Sequence, residues 1–281
     1  MPLSIAHLGP TGTYTEAATL AYTRHLATEK GSKSMLCPYP NIAQTVYSVA
    51  QGKADLAVIP VENSIEGSVV ITLDLLWQLD NLQIQQSLIL PIRHTLLSQS
   101  STLETITIVY SHPQALAQCQ QWLKKFLPRV ELVPTNSTTE ALHYLDEDHT
   151  AAAIASERAA QLYKLPILAS AINDYPDNCT RFLVLGKQPS TGGSYTSLGF
   201  STPANVPGAL VKPLQVFAEW GINMSRIESR PTKRLLGEYL FFIDIEADAS
   251  QASVKTALEK LASYTEVLKI FGSYNVLSVK N

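Results

Sequence analysis

Four short stretches of this chain gather side chains that can hold an anion or handle a proton. Pro60-Val61-Glu62-Asn63-Ser64-Ile65-Glu66-Gly67 follows a short apolar run and packs carboxylates, an amide and a hydroxyl into one turn. Ligands of α/β proteins sit outside the carboxyl ends of strands, where this turn falls, although a turn with no chemical task has a similar composition. Ser111-His112-Pro113-Gln114-Ala115-Leu116-Ala117-Gln118 repeats the arrangement, with Ser111 as a helix cap and Gln118 about two turns further on. Its Ser-His dipeptide is a poor nucleophile–base pair, because neighbouring side chains in a turn diverge, and no GxSxG elbow accompanies it. Asn178-Cys179-Thr180-Arg181-Phe182 opens a strand in which Thr180 and Phe182 face one side and Arg181 the other. Arg181 can clamp a carboxylate with its fork or pair with a surface acid, as lone arginines commonly do. Gly9-Pro10-Thr11-Gly12-Thr13-Tyr14-Thr15-Glu16 joins a strand to a helix, and Thr13 and Glu16 have capping-box spacing. Its backbone N–H groups from Thr11 to Thr13 are available to an anion, yet the pattern is neither a P-loop nor a full GxGxxG, and a plain capped turn reads the same way.

The elements that carry these stretches alternate. Leu3–Leu8 reads as a buried strand, 15–26 as a helix, 41–51 as a helix capped by Asn41, and 56–60 as a second buried strand. A helix at 71–80 precedes the long extended run 82–97, which crosses between two halves. Strands at 107–110, 131–133 and 151–155 then alternate with helices at 113–126, 137–146 and 156–163, and 180–185 returns to the first half. Alternation of this kind predicts a largely parallel α/β sheet in each half, and two crossings put a cleft at the hinge, a preferred small-molecule site. Gln188–Ser194, rich in small residues, is a linker. Beyond it the order strand, helix, strand, strand, helix, strand is βαββαβ, a ferredoxin-like sandwich. The predicted domains are 1–187, with lobe one at about 1–75 and 170–187 and lobe two at about 76–169, and 195–281.

Bulk properties narrow the function classes. The chain has 281 residues, 46% hydrophobic and 16% charged, with a net charge of -3. That balance gives no basic face for nucleic acid. The longest apolar runs are too short for a membrane span, and the N-terminus lacks the basic and apolar regions of a secretory signal. Three widely spaced cysteines predict reduced thiols in a cytoplasm. Six histidines, at 7, 25, 94, 112, 143 and 149, show no metal spacing and read mostly as surface or core residues.

Taken in order, Gly-Pro-x-Gly-Thr-aromatic at 9–14, Pro-x-Glu-Asn-Ser-x-x-Gly at 60–67, Ser-His-Pro-Gln-Ala at 111–115 and Asn-x-Thr-Arg-Phe at 178–182 resemble prephenate dehydratase. Gly208-Ala209-Leu210-Val211 and Glu228-Ser229-Arg230-Pro231 resemble its phenylalanine-binding ACT domain. The resemblance covers essentially the whole chain; Tyr14 stands where the family often has Phe. It implies a periplasmic-binding-protein-like catalytic body followed by the ACT unit. It further implies the decarboxylating dehydration of prephenate to phenylpyruvate in phenylalanine biosynthesis, with no cofactor or metal. Family members are usually dimers or tetramers with the effector between ACT domains. Thr180 occupies the family's position for the proton donor to the leaving hydroxyl, and a desolvated Glu62 with a raised pKa is the alternative. Asn63, Ser111 and Gln118 are expected to orient the substrate, with Ser64, His112, Asn178 and Phe182 beside them. Arg181 and the backbone of Thr11, Gly12 and Thr13 are candidates for its side-chain carboxylate. In the tail, the N–H groups of Ala209 and Leu210 suit an amino acid's carboxylate, Asn223 its ammonium, and the Glu228–Pro231 strand end closes the pocket. Two other readings fit the same residues: arogenate dehydratase, which differs by one ammonium group, and a catalytically silent amino-acid sensor.

Overall fold

The structure is a computed structural model and describes residues 2–145 and 148–279. The chain begins with β1 (Leu3–Leu8), α1 (Tyr14–Lys30), β2 (Ser34–Tyr39), α2 (Ile42–Ala50), β3 (Leu56–Asn63), the two-residue β4 (Gly67–Ser68), α3 (Val70–Gln78) and β5 (Gln83–Pro91). It crosses into β6 (His94–Leu97), β7 (Ile108–Ser111), α4 (Pro113–Ala117), α5 (Gln120–Phe126), β8 (Glu131–Pro134), β9 (Ala151–Ser156), α6 (Glu157–Tyr163) and β10 (Ile167–Ala169). It returns through β11 (Cys179–Gly186) and continues with β12 (Tyr195–Ser201), α7 (Val211–Glu219), β13 (Met224–Pro231), β14 (Tyr239–Ile245), α8 (Ala252–Ala262), β15 (Val267–Tyr274) and β16 (Val276–Ser278).

These strands form three sheets. Lobe one has the order β16-β5-β11-β3-β1-β2, with β4 beside β3. Lobe two has the order β10-β6-β9-β7-β8, and the C-terminal unit β13-β14-β12-β15. The predicted class stands, two α/β lobes joined by two crossings and a βαββαβ unit behind them, but the lobe sheets are mixed rather than largely parallel, because the crossing strands β5, β6 and β11 pair antiparallel. The boundaries shift. β5 belongs to lobe one, because it pairs along its whole length with β11, so lobe two begins after the crossing at Pro91. After completing the C-terminal unit, the chain goes back to lobe one, where β16 pairs in parallel with β5. β2 went unpredicted: its Ser-Met-Leu-Cys-Pro-Tyr mixes exposed and half-buried residues and shows no clean period. The predicted helix 113–126 is broken at Gln118–Cys119 into α4 and α5. The predicted helix 137–146 is a 3₁₀ turn at Glu140–Tyr144, and its last residue, Asp146, lies outside the described residues.

Local chemistry starts the helices where the cleft needs them. Asn41 caps α2 by accepting from the Gln44 N–H at 2.8 Å, a contact stabilising by about 1 kcal/mol. Ser156 caps α6 by accepting from Ala159 N–H at 3.0 Å while its own hydroxyl donates to Gly12 O at 2.8 Å, so one side chain ties the second lobe to the first. Gly12 has φ +90° and stands where a Cβ would fall 2.9 Å from Thr139 Cγ2, so the turn requires glycine both conformationally and sterically.

The C-terminal sheet is apolar on both faces. One face packs α7 and α8 through Leu198, Phe200, Val216, Phe217, Ile243 and Leu258. The other contributes Leu240, Phe242, Phe271 and Tyr274 to the same buried cluster as Val61, Leu73, Leu76, Leu183 and Leu185 of lobe one. The C-terminal unit and the body thus share a core and are not joined by the linker alone. Produced by itself, the 190–281 fragment would bare Leu240, Phe242 and Phe271. It is expected to self-associate and bind a hydrophobic dye; a monodisperse, dye-silent fragment in sedimentation would refute the shared core. In the full chain, Phe271→Ala should cost about 3–5 kcal/mol in urea unfolding.

Candidate active site

The cleft between the lobes holds a cavity of about 530 Å³ into which the ends of β3, β6, β11 and the helix α4 point. Thr13, Tyr14, Asn63, His94, His112, Gln118, Thr180 and Phe182 line it, with Asn136, Ser137 and Thr138 from the loop after β8. Among the described residues its lining contains no Asp, Glu, Lys or Arg; its polar side chains are hydroxyls, amides and imidazoles.

One irregularity sets that polarity. Along β3, Leu56 and Val58 face the cluster under α1, whereas Ala57, Ile59 and Val61 face the shared core. Continued, this alternation would aim Glu62 into the cleft and Asn63 away from it. The register with β11 runs Phe182↔Pro60 and then Arg181↔Glu62, so Val61 and Glu62 together oppose Arg181. This bulge turns Glu62 to the core side and Asn63 to the cleft. β11 is regular here, so Thr180 and Phe182 line the cavity and Arg181 points the other way.

Glu62 and Arg181 therefore do not reach the substrate positions that the resemblance implies for them. Arg181 Nη2 lies 2.5 Å from Asp244 Oδ2 of β14 and 3.2 Å from Glu62 Oε2. Arg226 of β13 completes the cluster, with Nε 3.6 Å from Glu62 Oε1 and Nη1 3.7 Å from Asp244 Oδ2. Burial acts to lower the Arg181 pKa, and the Asp244 and Glu62 carboxylates more than offset it, holding the guanidinium charged. Neither residue is free to clamp a carboxylate or store a proton in the cleft: both are spent on the seam with the C-terminal unit.

Asn63 is fixed by its neighbours. Its Oδ1 accepts from Ile65 N–H at 3.0 Å and Glu66 N–H at 3.1 Å. Its Nδ2 therefore donates, to Thr180 Oγ1 at 3.0 Å and Asn178 Oδ1 at 2.9 Å. Thr180 Oγ1 is thus an acceptor towards Asn63, which leaves its own proton for the cavity. Asn178, 1% exposed, is the hub behind the wall: its Oδ1 also accepts from Ser64 Oγ at 3.3 Å, and its Nδ2 donates to Gln118 Oε1 at 2.9 Å. Gln118 Nε2 donates to Glu66 Oε1 at 3.3 Å, leaving one N–H for the cavity. Thr13 lines the cavity, and Phe182 forms its apolar floor.

Two further expectations fail on geometry, Ser111 and the Thr11–Gly12 backbone, and a third residue, His112, reaches the cavity. The Ser111 hydroxyl is wholly buried and donates to Ile154 O at 2.6 Å, locking β7 to β9 rather than meeting a substrate. The Gly12 N–H donates to Glu16 Oε2 at 2.6 Å, and neither Thr11 nor Gly12 lines the cavity. His112 does line it, but its Nδ1 accepts from Gln114 N–H at 3.2 Å as the cap of α4, and burial lowers its pKa. His94 and Tyr14 were not singled out as site residues; His94 is buried at 3% exposure and hydrogen-bonds both Tyr14 and Gln118. A lone histidine after an apolar strand carries no pattern that would have revealed it.

In the C-terminal unit, β13 sends Arg226, Glu228 and Arg230 towards lobe one. Ser68 Oγ donates to Glu228 Oε2 at 3.0 Å, and Arg230 Nη2 meets Asp74 Oδ1 at 3.3 Å. Ser229 and Pro231, on the alternate positions, are exposed, as are Gly208, Val211 and Asn223. The predicted helix start at Gly208 is instead a turn in which Ala209 N–H donates to Val206 O and Val211 N–H to Gly208 O; α7 begins at Val211. The Ala209 donor is therefore engaged within the chain.

A two-lobed α/β body with a neutral, polar interlobe cleft and a fused βαββαβ unit defines the class: a small-molecule enzyme body with an attached regulatory module. The family model for prephenate dehydratase matches residues 5–190, and that for the ACT domain residues 196–263. A prephenate dehydratase of Lactococcus lactis is 36% identical over 285 residues, covering 99% of this chain and 99% of the relative. A solved prephenate dehydratase from Arthrobacter aurescens in complex with L-Phe superposes with a TM-score of 0.85 at 35% identity, over 97% of this chain and 90% of that one. A second solved structure, described as GqqA, a novel type of quorum quenching acylase, gives a TM-score of 0.81 at 29% identity over 96% and 97%. The chain belongs to the prephenate dehydratase family and carries an ACT domain.

The seam has a measurable consequence. Asp244→Ala leaves the Arg181 cation buried with only the more distant Glu62, and should destabilise the full chain by about 3–5 kcal/mol in denaturant unfolding. A loss under about 1 kcal/mol would mean that the pair is a solvated surface contact.

Proposed function

We propose that the chain catalyses the decarboxylating dehydration of prephenate to phenylpyruvate, with Thr180 as the hydrogen-bond donor to the departing ring hydroxyl. The observation that carries this reading is the direction of the Asn63–Thr180 hydrogen bond, which leaves the threonine proton for the cavity. The ring-to-carboxylate bond breaks, its electron pair enters the ring, and the hydroxyl on the far carbon leaves as water after gaining a proton. Thr180 is too weak an acid to ionise alone, so it acts by stabilising charge on the leaving oxygen while solvent completes the protonation. The free N–H of Gln118 and the hydroxyls of Ser137 and Thr138 are suited to orienting the two carboxylates. No cofactor or metal enters this scheme. Arogenate would meet the same neutral groups, and the ratio of kcat/KM on the two substrates separates them.

An acyl-transfer reading, raised by the likeness to the GqqA structure, lacks a Ser or Thr nucleophile paired with a base among the described residues. Among the described residues that line the cavity, His94 is bonded to Tyr14 and Gln118, and His112 Nδ1 caps α4. No cavity hydroxyl of Ser or Thr meets either imidazole among the described hydrogen bonds, and Ser111 lies outside the cavity.

Phenylalanine is the proposed effector of the ACT domain, bound by the segments 208–211 and 228–231 with Asn223, and favouring a less active state. Self-association is supported by the unpaired edge of β13 and the apolar residues beside it, Ile227, Leu235, Leu236 and Tyr239, of which Leu236 is 99% exposed. No helix among the described residues is long and apolar enough to cross a membrane, and a cytoplasmic location is part of the proposal.

Thr180→Val keeps the shape and removes the hydroxyl. Native turnover of prephenate should fall by about 10²–10⁴-fold in kcat in this variant. Native turnover that survives would move the proton chemistry to bound water, and a native chain inert towards both prephenate and arogenate would leave the sensor reading. Titration calorimetry of the full-length chain with phenylalanine is expected to show saturable binding; absence of heat and of any effect on turnover would remove the effector assignment.

A further inference from the structure

We propose that His94 is a positioning residue of the cleft, held as the neutral Nε2–H tautomer so that it fixes the carboxamide of Gln118 with its remaining N–H towards the substrate. The proposal deepens the dehydratase reading and rests on it for the identity of the substrate, though not for the state of the imidazole.

The direction of the hydrogen bonds from Asn63 to His94 Nε2 follows from one end. The backbone N–H groups of Ile65 and Glu66 cannot reverse, so Asn63 Oδ1 accepts and Asn63 Nδ2 donates. Asn178 Oδ1 receives that donation, so Asn178 Nδ2 faces Gln118 and its oxygen must accept, at 2.9 Å. The same Gln118 Oε1 lies 3.0 Å from His94 Nε2, which therefore carries the proton. Tyr14 Oη lies 2.8 Å from the Arg93 carbonyl and 2.9 Å from His94 Nδ1 and has one proton for the two; on the neutral ring Nδ1 is a bare lone pair and accepts the hydrogen bond from that proton. A flipped Gln118 amide would set its NH₂ against two donors, Asn178 Nδ2 and His94 Nε2, so the pair of bonds excludes the wrong orientation. Removing His94 removes one of the two.

The surroundings keep the ring in place and neutral. The His94 backbone N–H donates to Asn173 Oδ1 at 2.6 Å, and the Tyr14 ring meets the imidazole edge-on with centroids 5.5 Å apart. Burial lowers the His94 pKa, opposed in part by the bond to Gln118. Tyr14, whose hydroxyl faces Nδ1, is pushed further towards its neutral phenol, again by burial first. Protonation of His94 would oblige Tyr14 to turn its hydroxyl proton to the Arg93 carbonyl, 2.8 Å away, and would place a cation beside a cavity that has no charged lining residue.

The test joins a spectrum to kinetics. Nitrogen-15 histidine spectra of the full-length protein, taken at about pH 7.5, a unit above the ordinary imidazole pKa, should show one site with a protonated Nε2 and a bare Nδ1. A tautomer mixture, a protonated Nδ1 or a charged ring at that site would overturn the proposal. In turnover of prephenate, His94→Phe should lower kcat/KM by about tenfold or more, a loss equivalent to one charged-substrate hydrogen bond. His94→Gln can place an amide N–H near the former Nε2 and should recover most of it. His94→Phe with native kcat/KM in a folded chain, or His94→Gln no better than His94→Phe, would refute it. A native protein that ignores prephenate while giving the expected spectrum would sink the functional reading and leave the His94 assignment standing.

Discussion

The bulge at Val61–Glu62 is the constraint on which the rest of the structure depends. A strand has two faces, and β3 and β11 have different work on each. Without the extra residue, the period of two would carry Glu62 into the cleft beside Thr180 and bury the Asn63 amide against the apolar core. With it, the amide that orients Thr180 and the carboxylate that pairs with Arg181 exchange sides. A single added residue in the ladder thus sorts the neutral groups to the cleft and the charged ones to the seam. Bulges are common beside active sites because they re-aim one side chain without disturbing the strands around it.

The seam then explains why the two units fold as one body. Burying a guanidinium costs several kcal/mol unless its partners are close and well aimed. Arg181 meets Asp244 on one unit and Glu62 on the other, and Arg226 reaches both acids from the opposite side. Ser197 and Tyr274 surround the same carboxylate: the Ser197 hydroxyl donates to Asp244, and the buried phenol of Tyr274 is held neutral, first by desolvation and then by the Asp244 charge. An apolar cluster drawn from both units encloses the network. Such clusters add little net stability over a greasy contact, but any displacement of one unit against the other leaves charges unpaired, so the relative placement is sharply defined. Arg181 is adjacent to Thr180 and Glu62 to Asn63, which puts one peptide bond between the seam and the groups in the cleft.

Much of this was legible in the residues. The alternation of strands and helices, the small-residue linker and the βαββαβ order came from periodicity and turn chemistry, and each describes the chain. Thr180, Asn63 and Gln118 line the cleft: the first two stand at strand ends that the pattern reveals, and Gln118 at a break in a helix that it does not. Glu62 and Arg181 were misplaced for opposite reasons. Arg181 was assigned to the right face of its strand, but only the tertiary structure shows that the acidic partner waiting there belongs to another domain. Glu62 was expected near the leaving hydroxyl on the resemblance, and the bulge that turns it to the other face leaves no mark in the sequence. Ser111 and Gly12 have the right residue types in the right turns, and their polar atoms are consumed by Ile154 and Glu16. β16 could not be foreseen, since Val276–Ser278 is three residues long and its partner lies far away in sequence.

The neutrality of the cleft bears on the proposed chemistry. A carboxylate about to leave as carbon dioxide must lose its charge to the ring. A guanidinium beside it would stabilise the ground state more than the transition state and so raise the barrier. Uncharged donors hold a carboxylate more weakly and surrender it at lower cost, while the charge that grows on the departing hydroxyl is met by Thr180, pointed there in advance by Asn63. The same reasoning accounts for a neutral His94: an imidazolium in that wall would act on the carboxylates as an arginine would. On this view the bulge, the exported Arg181 and the uncharged imidazole serve one requirement, a cavity that recognises anions without holding any of them by an ion pair.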